Sequence, residues 1–142
     1  MRASFDIDEF LARPLTARVA TAGPTIRPTW YLWEGGAFWI LTGPWGKLAD
    51  HVDADPRLAV SVDVCDIESG LVRLVVAQGD AEIRPFDVPR GRRKLSRYLG
   101  DDEGPWDPRF RAYLHDASAT AVWVRMQPTS LRARDLSYAP SG

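Results

Sequence analysis

RPTWYLWEGGAFWILTGPWGKLADHVDADPRLAVSV, residues Arg27 to Val62, is the stretch on which the fold turns. Trp30 and Leu32 alternate with Tyr31 and Trp33, the period of two of a strand with two different faces to satisfy. Glu34-Gly35-Gly36 supplies a tight turn, because glycine tolerates the positive φ that such hairpins demand. Phe38 to Leu41 form the returning strand, which ends at Thr42. The chain then breaks at Gly43-Pro44, exposes Trp45, and passes through Gly46-Lys47 into a helix over Leu48 to Val52. A strand end feeding a helix start, with a hydroxyl, backbone amides and a lysine nearby, suits an anion. The aromatic hairpin beside it suits a planar ring attached to that anion.

Outward from this stretch the pattern is mostly β. Ser4 is the expected N-cap of a short amphipathic helix over Phe5 to Ala12, ended by Pro14. Thr16 to Ala22 is a strand of small and β-branched residues, with a turn at Gly23-Pro24. Downstream, Asp53 to Pro56 is a stop and turn before a strand over Arg57 to Asp63, and Ile67 to Gly70 connects to the longest β pattern, Leu71 to Ile83. Gly79 interrupts that pattern, which predicts a bulge or a close backbone approach. Val88 to Leu99 is a helix whose Arg90, Arg92, Arg93, Lys94 and Arg97 form a basic face turned to solvent, with Leu95, Tyr98 and Leu99 buried. Gly100 to Pro108 is a polar loop holding Trp106, followed by a helix over Arg109 to His115 and strands over Ala119 to Met126 and Leu131 to Leu136. Seven β segments and two to four small helices predict a mainly β, antiparallel barrel with helical decoration. No linker, repeat or low-complexity tract divides residues 1–142, so one domain is expected.

The totals narrow the chemistry. A net charge of −1 gives no basic excess to recruit nucleic acid. The hydrophobic share of 45% is that of a globular chain, and no apolar run reaches membrane-spanning length. The single cysteine, Cys65, reads as a small apolar residue belonging with the strand Ala59 to Val64, and with no partner for a disulfide it fits a reducing, cytoplasmic address. Two histidines, His51 and His115, and no HxxxH or CxxC spacing leave no zinc site. No GxSxG is present for a serine hydrolase. Gly43 to Lys47 fails as a nucleotide-hydrolase loop, since Leu41 stands where glycine is required and Leu48 replaces the magnesium-binding hydroxyl. Six tryptophans stand out, and Trp33, Trp39 and Trp45 recur at intervals of six residues. Core packing explains any one of them; several within one hairpin and its loop point to a ring-binding groove or a subunit interface. Aromatic surfaces, an anion cradle and no evident acid, base and nucleophile suit a bound redox cofactor that the protein orients, and equally a passive binder.

The residues resemble the flavin and deazaflavin split β-barrel proteins related to pyridoxamine 5'-phosphate oxidase. The resemblance runs from LARPLTARVATAG through RPTWYLWEGGAFWILT, Gly46-Lys47-Leu48, DADPRLAVSVD and VVAQGDAEI to the closing VWVRMQPTSLRARDLSY. It implies a split barrel of the dimeric FMN-binding type, with the cofactor ring in a groove between two copies. By that resemblance Arg27, Pro28, Thr29 and Trp30 line the ring and its ribityl chain, Leu41 and Thr42 sit at the next strand end, and Lys47 meets the phosphate. Trp45 and Gly46 fall in the phosphate loop, and Gln78 lies on the ring side. Oxidases of the family present an Arg-Lys pair to the phosphate, and here Gly46 takes the arginine's place. That departure speaks against the vitamin-converting oxidase activity and towards the branch using F420, with FMN remaining open.

The resemblance therefore implies a homodimeric oxidoreductase that binds F420 or FMN and transfers a hydride to or from a small organic substrate. No catalytic residue is assigned; Tyr31 or Tyr98 is a feasible proton donor if one faces the substrate, and core or interface packing is the role otherwise expected of both. The alternative is a non-catalytic flavin, deazaflavin or haem-related carrier on the same barrel. A dimeric interaction protein that has lost its cofactor is the third reading.

Overall fold

The computed structural model describes residues 5–116 and 120–141. In chain order these form α1 (Ile7–Leu11), β1 (Ala17–Thr21), β2 (Thr25–Thr29), β3 (Leu32–Glu34), β4 (Ala37–Thr42), α2 (Leu48–Ala54), β5 (Arg57–Asp66), β6 (Leu71–Pro85), α3 (Val88–Leu99), α4 (Pro108–His115), β7 (Val122–Met126) and β8 (Ser130–Asp135). The strands run β2-β1-β5-β6-β7-β4-β3, β8 pairs with β6, and every pairing is antiparallel. The result is mainly β with a few short helices, a split barrel as expected.

The split is made by β6. Its residues Leu71 to Asp80 pair with β5, while Ala81 to Pro85 pair with β7 in the other half of the barrel. Gly79 lies at the changeover, and a Cβ there would stand 2.8 Å from the Gln127 carbonyl oxygen and 3.0 Å from Met126 Sδ. The close backbone approach expected at this glycine is therefore present, and a side chain would push the barrel halves apart. Phe38, Ile40, Val60, Val62, Val75, Ala77, Val124 and Met126 fill the space between the halves, with Phe10 and Leu11 of α1 and Leu48 and Val52 of α2 packed into the same core.

Several expectations need correction. The strand read through Trp30 to Trp33 starts only at Leu32 as β3, and a further strand, β2, precedes it and ends at Thr29, so Trp30 and Tyr31 lie in neither. The Tyr31 N–H leaves the sheet and donates to the Tyr98 hydroxyl at 3.1 Å, so Trp30 and Tyr31 form a crossing between barrel halves. The Gly35-Gly36 turn holds, with φ of 61° and 72°. Helix α1 is shorter than Phe5 to Ala12 and is capped by Asp6, whose carboxylate accepts from Glu9 N–H at 3.1 Å; Ser4 lies outside the described residues. So does Ala119, where the strand observed as β7 was expected to start. Cys65 is exposed on β5, which extends beyond Asp63 to Asp66.

The basic face of α3 is largely occupied. Arg93 grips Glu34 of β3 through two bonds of 2.7 and 2.8 Å, Arg90 reaches the same carboxylate at 3.1 Å, and Arg92 bonds Glu103 at 2.8 Å. Asp87 caps the helix by accepting from Arg90 N–H at 2.9 Å and also accepts from the Trp123 indole at 3.1 Å. The Arg90 guanidinium lies 3.6 Å from the Trp39 ring centroid. These contacts tie α3 to the β3–β4 hairpin and fix which of its faces turns inward.

Candidate functional site

The strand-end elements and the two late helices meet at an open cleft of about 180 Å³. Thr29 and Trp30 enter it from the end of β2, Leu41 from β4 and Trp45 from the following loop; Lys94 and Leu95 come from α3, and Phe110 and Tyr113 from α4. Four of the residues implied by the resemblance, Thr29, Trp30, Leu41 and Trp45, are thus brought together.

Local structure explains each placement. Along β2, Thr25, Arg27 and Thr29 are half-buried while Ile26 and Pro28 are exposed, so Pro28 lies on the opposite face from Thr29. Arg27 bonds Thr25 Oγ1 at 2.8 Å and the Val19 carbonyl at 3.4 Å, and burial lowers its pKa. On β4, Leu41 sides with Trp39 and Trp123 in a small second core, whereas Thr42 is buried at the strand end. Gly46 N–H closes a turn onto the Gly43 carbonyl at 3.2 Å, and the Trp45 ring folds back over Gly43, so that a Cβ there would collide with it. Trp45 remains 58% exposed and touches Tyr113 with ring centroids 5.8 Å apart. Gly46 and Lys47 are exposed, and Lys47 caps the start of α2 without a side-chain cap bond.

Trp30 is held by the helices. Its ring stacks on Tyr98 at 4.4 Å and on Phe110 at 5.3 Å. The tryptophans spaced by six do not form one surface: Trp33 packs on Phe38 and bonds Asp8, Trp39 is in the second core, and only Trp45 of the three lines the cleft. Gln78 lies apart, in a larger cavity of about 570 Å³ bordered by Thr21, Leu58, Gly79 and Arg57. Arg57 there is already engaged by Asp55.

Tyr31 and Tyr98 are both committed to the backbone. Tyr98 accepts from Tyr31 N–H and donates to the Leu15 carbonyl at 2.7 Å; Tyr31 donates to the Arg13 carbonyl at 3.4 Å. Burial pushes the Tyr98 phenol up to about 12 and raises that of Tyr31 as well, so both hold their protons.

The residue that reading the sequence placed on the wrong side is Lys94. It is 6% exposed, and burial pushes its ammonium pKa down to about 8. The signal was present in the spacing: Gly91, Lys94, Leu95 and Tyr98 fall at i, i+3, i+4 and i+7, one face of a helix.

The family model described as Pyridoxamine 5'-phosphate oxidase matches residues 6–126. The chain belongs to that family. Solved structures of similar fold include the conserved hypothetical protein Rv2991 from Mycobacterium tuberculosis, with a TM-score of 0.74 at 21% identity over 100% of this chain and 93% of that one. An FAD-binding protein from Mesorhizobium loti has a TM-score of 0.67 at 20% identity, covering 96% of each chain. An F420 reductase has a TM-score of 0.63 at 22% identity over 93% of this chain and 98% of its own. At these identities the likeness is one of fold. No curated protein matches the chain. Among the described residues no group of three or more metal-binding side chains is found, and no helix is long and apolar enough to cross a membrane.

Proposed function

We propose that the chain is a homodimeric, cytoplasmic oxidoreductase that binds F420 or FMN and transfers a hydride to or from a small organic substrate. The observation that carries this reading is the meeting of Thr29, Trp30, Leu41 and Trp45 at one cleft that also holds the buried Lys94. Aromatic and aliphatic walls with a few polar groups are what a planar heterocycle needs. The cleft, about 180 Å³ and open, is smaller than the ~300 to 1,000 Å³ of sites that enclose a ligand of this size. In this reading a second copy closing over the cleft supplies the missing wall.

When bound, such a cofactor supplies the hydride acceptor or donor. The chain's own residues orient and shield it. Trp30 and Leu41 form the floor, Trp45 is the exposed flank, and Lys47, exposed at the start of α2, takes the phosphate as a point charge. Arg27 lies on the Thr29 face of β2, where it serves the chain between ring and phosphate. Pro28, Thr42 and Gly46 contribute backbone shape, and Gln78, which lines the separate larger cavity, keeps its ring-side role from the resemblance alone. The exposed, unpaired Cys65 fits a reducing compartment.

A second reading, a non-catalytic flavin, deazaflavin or haem-related carrier, is favoured by one observation: the two tyrosines suited to proton donation are tied to backbone carbonyls. Titration of the protein with FMN and F420, followed by tryptophan quenching, tests both. Micromolar or tighter binding that Lys47→Ala weakens by more than about tenfold, roughly 1.4 kcal/mol, supports the site. Turnover of the reduced cofactor with a panel of acceptors selects the enzyme, and binding without turnover selects the carrier. Failure of both cofactors to bind overturns both readings.

A further inference from the structure

The chain has sixteen arginines and only two lysines, Lys47 and Lys94. Lys47 is exposed, and Arg97, a half-buried residue on the same helix as Lys94, has one enclosed nitrogen, Nη1, without a partner. Lys94 is the one lysine or arginine among the described residues that is buried as a whole, at 6% exposure, and it makes no hydrogen bond or ion pair with any of them. Of its neighbours on α3, Arg90 and Arg93 are served by Glu34 and Arg92 by Glu103. Lys94 instead lines the cleft, among Leu95, Trp30, Phe110 and Tyr113, none of which carries a counter-charge. An ammonium drawn largely out of water with no partner is costly to the fold, and a methionine of similar length would pack there without that cost. The arrangement becomes favourable when a ligand brings a negative charge to the ammonium.

We propose that Lys94 makes the cleft select a planar ligand whose ring itself carries negative charge, its ammonium pairing with a deprotonated nitrogen or oxygen at the ring edge. This rests on the cleft being the ring site of the proposed function, and adds that the ring and the phosphate are met by different lysines. A two-electron-reduced flavin that has lost its ring proton is such a ligand, and so is a deazaflavin with an ionised ring hydroxyl. The positive charge lowers the energy of the ring anion relative to the protonated ring. Tyr113, the other titratable side chain lining the cleft, adds no competing negative charge, since burial raises its pKa.

The test reads the ring, not turnover. FMN reduced anaerobically with dithionite, and separately F420, are bound to wild type, Lys94→Met and Lys47→Ala, and the ionisation of the bound ring is followed by its absorption as pH is varied. The expected result is that Lys94→Met raises the pH at which the bound ring ionises by about one unit or more, a tenfold change in its ionisation constant. Lys47→Ala weakens binding of either probe and leaves ring ionisation where it was. Equal ring ionisation in wild type and Lys94→Met, with the probes bound, overturns the role of Lys94 and leaves the ring site standing. Failure of wild type to bind either probe overturns the site reading and this inference together. Urea unfolding of Lys94→Met confirms that the variant tested is folded.

Discussion

The Trp30 and Tyr98 rings lie parallel, 4.4 Å apart with an interplanar angle of 4°. The contact joins the crossing between barrel halves to helix α3, and the Tyr98 hydroxyl completes the joint by serving Tyr31 N–H and the Leu15 carbonyl. Because Tyr98 and Lys94 lie one turn apart on the same helix face, the contact that seats the helix also carries the lysine to the cleft.

Tyr98→Phe keeps the stacked ring and removes the hydroxyl. The Tyr31 N–H and the Leu15 carbonyl then lose a partner at a half-buried position, and a loss of about 1 to 3 kcal/mol is expected. Urea unfolding followed by tryptophan fluorescence measures it. Stability within error of wild type would show that water replaces the phenol at no cost.

Lys94 makes stability depend on alkaline pH. Its pKa is about 8 in the folded protein against 10.5 for the free side chain, so between these values the unfolded chain holds a proton that the folded chain has released. Stability contributed by this group therefore rises as pH increases from about 8 towards 10.5. At pH 7 the charged amine costs the ligand-free protein at most roughly 3 kcal/mol. Lys94→Met is expected to be the more stable protein at pH 7 and to lose that advantage near pH 10. Parallel urea titrations at the two pH values, subtracting variant from wild type, isolate the lysine from the tyrosines. An advantage that does not change with pH would mean that the ammonium is solvated in the folded state.

Glu34 anchors α3 from the sheet side. Its pKa is lowered, first by the hydrogen bonds from Arg93 and then by the Arg93 and Arg90 charges, with burial opposing them. The stabilisation is complete above the ordinary carboxylate pKa of 4.5 and is lost as pH falls through the lower folded value. Glu34→Gln is expected to cost about 1 kcal/mol at pH 7, the modest size reflecting partial exposure of all three partners. It should also flatten the acid limb of the stability curve below pH 4.5. An acid limb as steep as that of wild type would place the titrating group elsewhere.

Where local chemistry decides, the sequence by itself was sufficient. Gly35-Gly36 forms its turn because those two residues must take positive φ, and α3 runs over Val88–Leu99 because Asp87 caps it and Gly100 ends it. The order of strands and turns, with the resemblance it carries, settled the split barrel and the family. Partnering between distant segments was beyond it. That β2 stops at Thr29 follows from the Tyr98 hydroxyl claiming the Tyr31 N–H across 67 positions of chain, which no local pattern contains. Trp33, Trp39 and Trp45 share a spacing and three different surroundings, because the first two lie on opposite faces of a hairpin and the third on a loop. Lys94 shows the division most clearly. The helix period places it on one stripe with Gly91, Leu95 and Tyr98, but a lysine on such a stripe reaches solvent unless another element covers it. Packing of α4 and the end of β2 against α3 narrows that route to the cleft, and only the tertiary structure turns a surface lysine into a largely buried one facing the cleft.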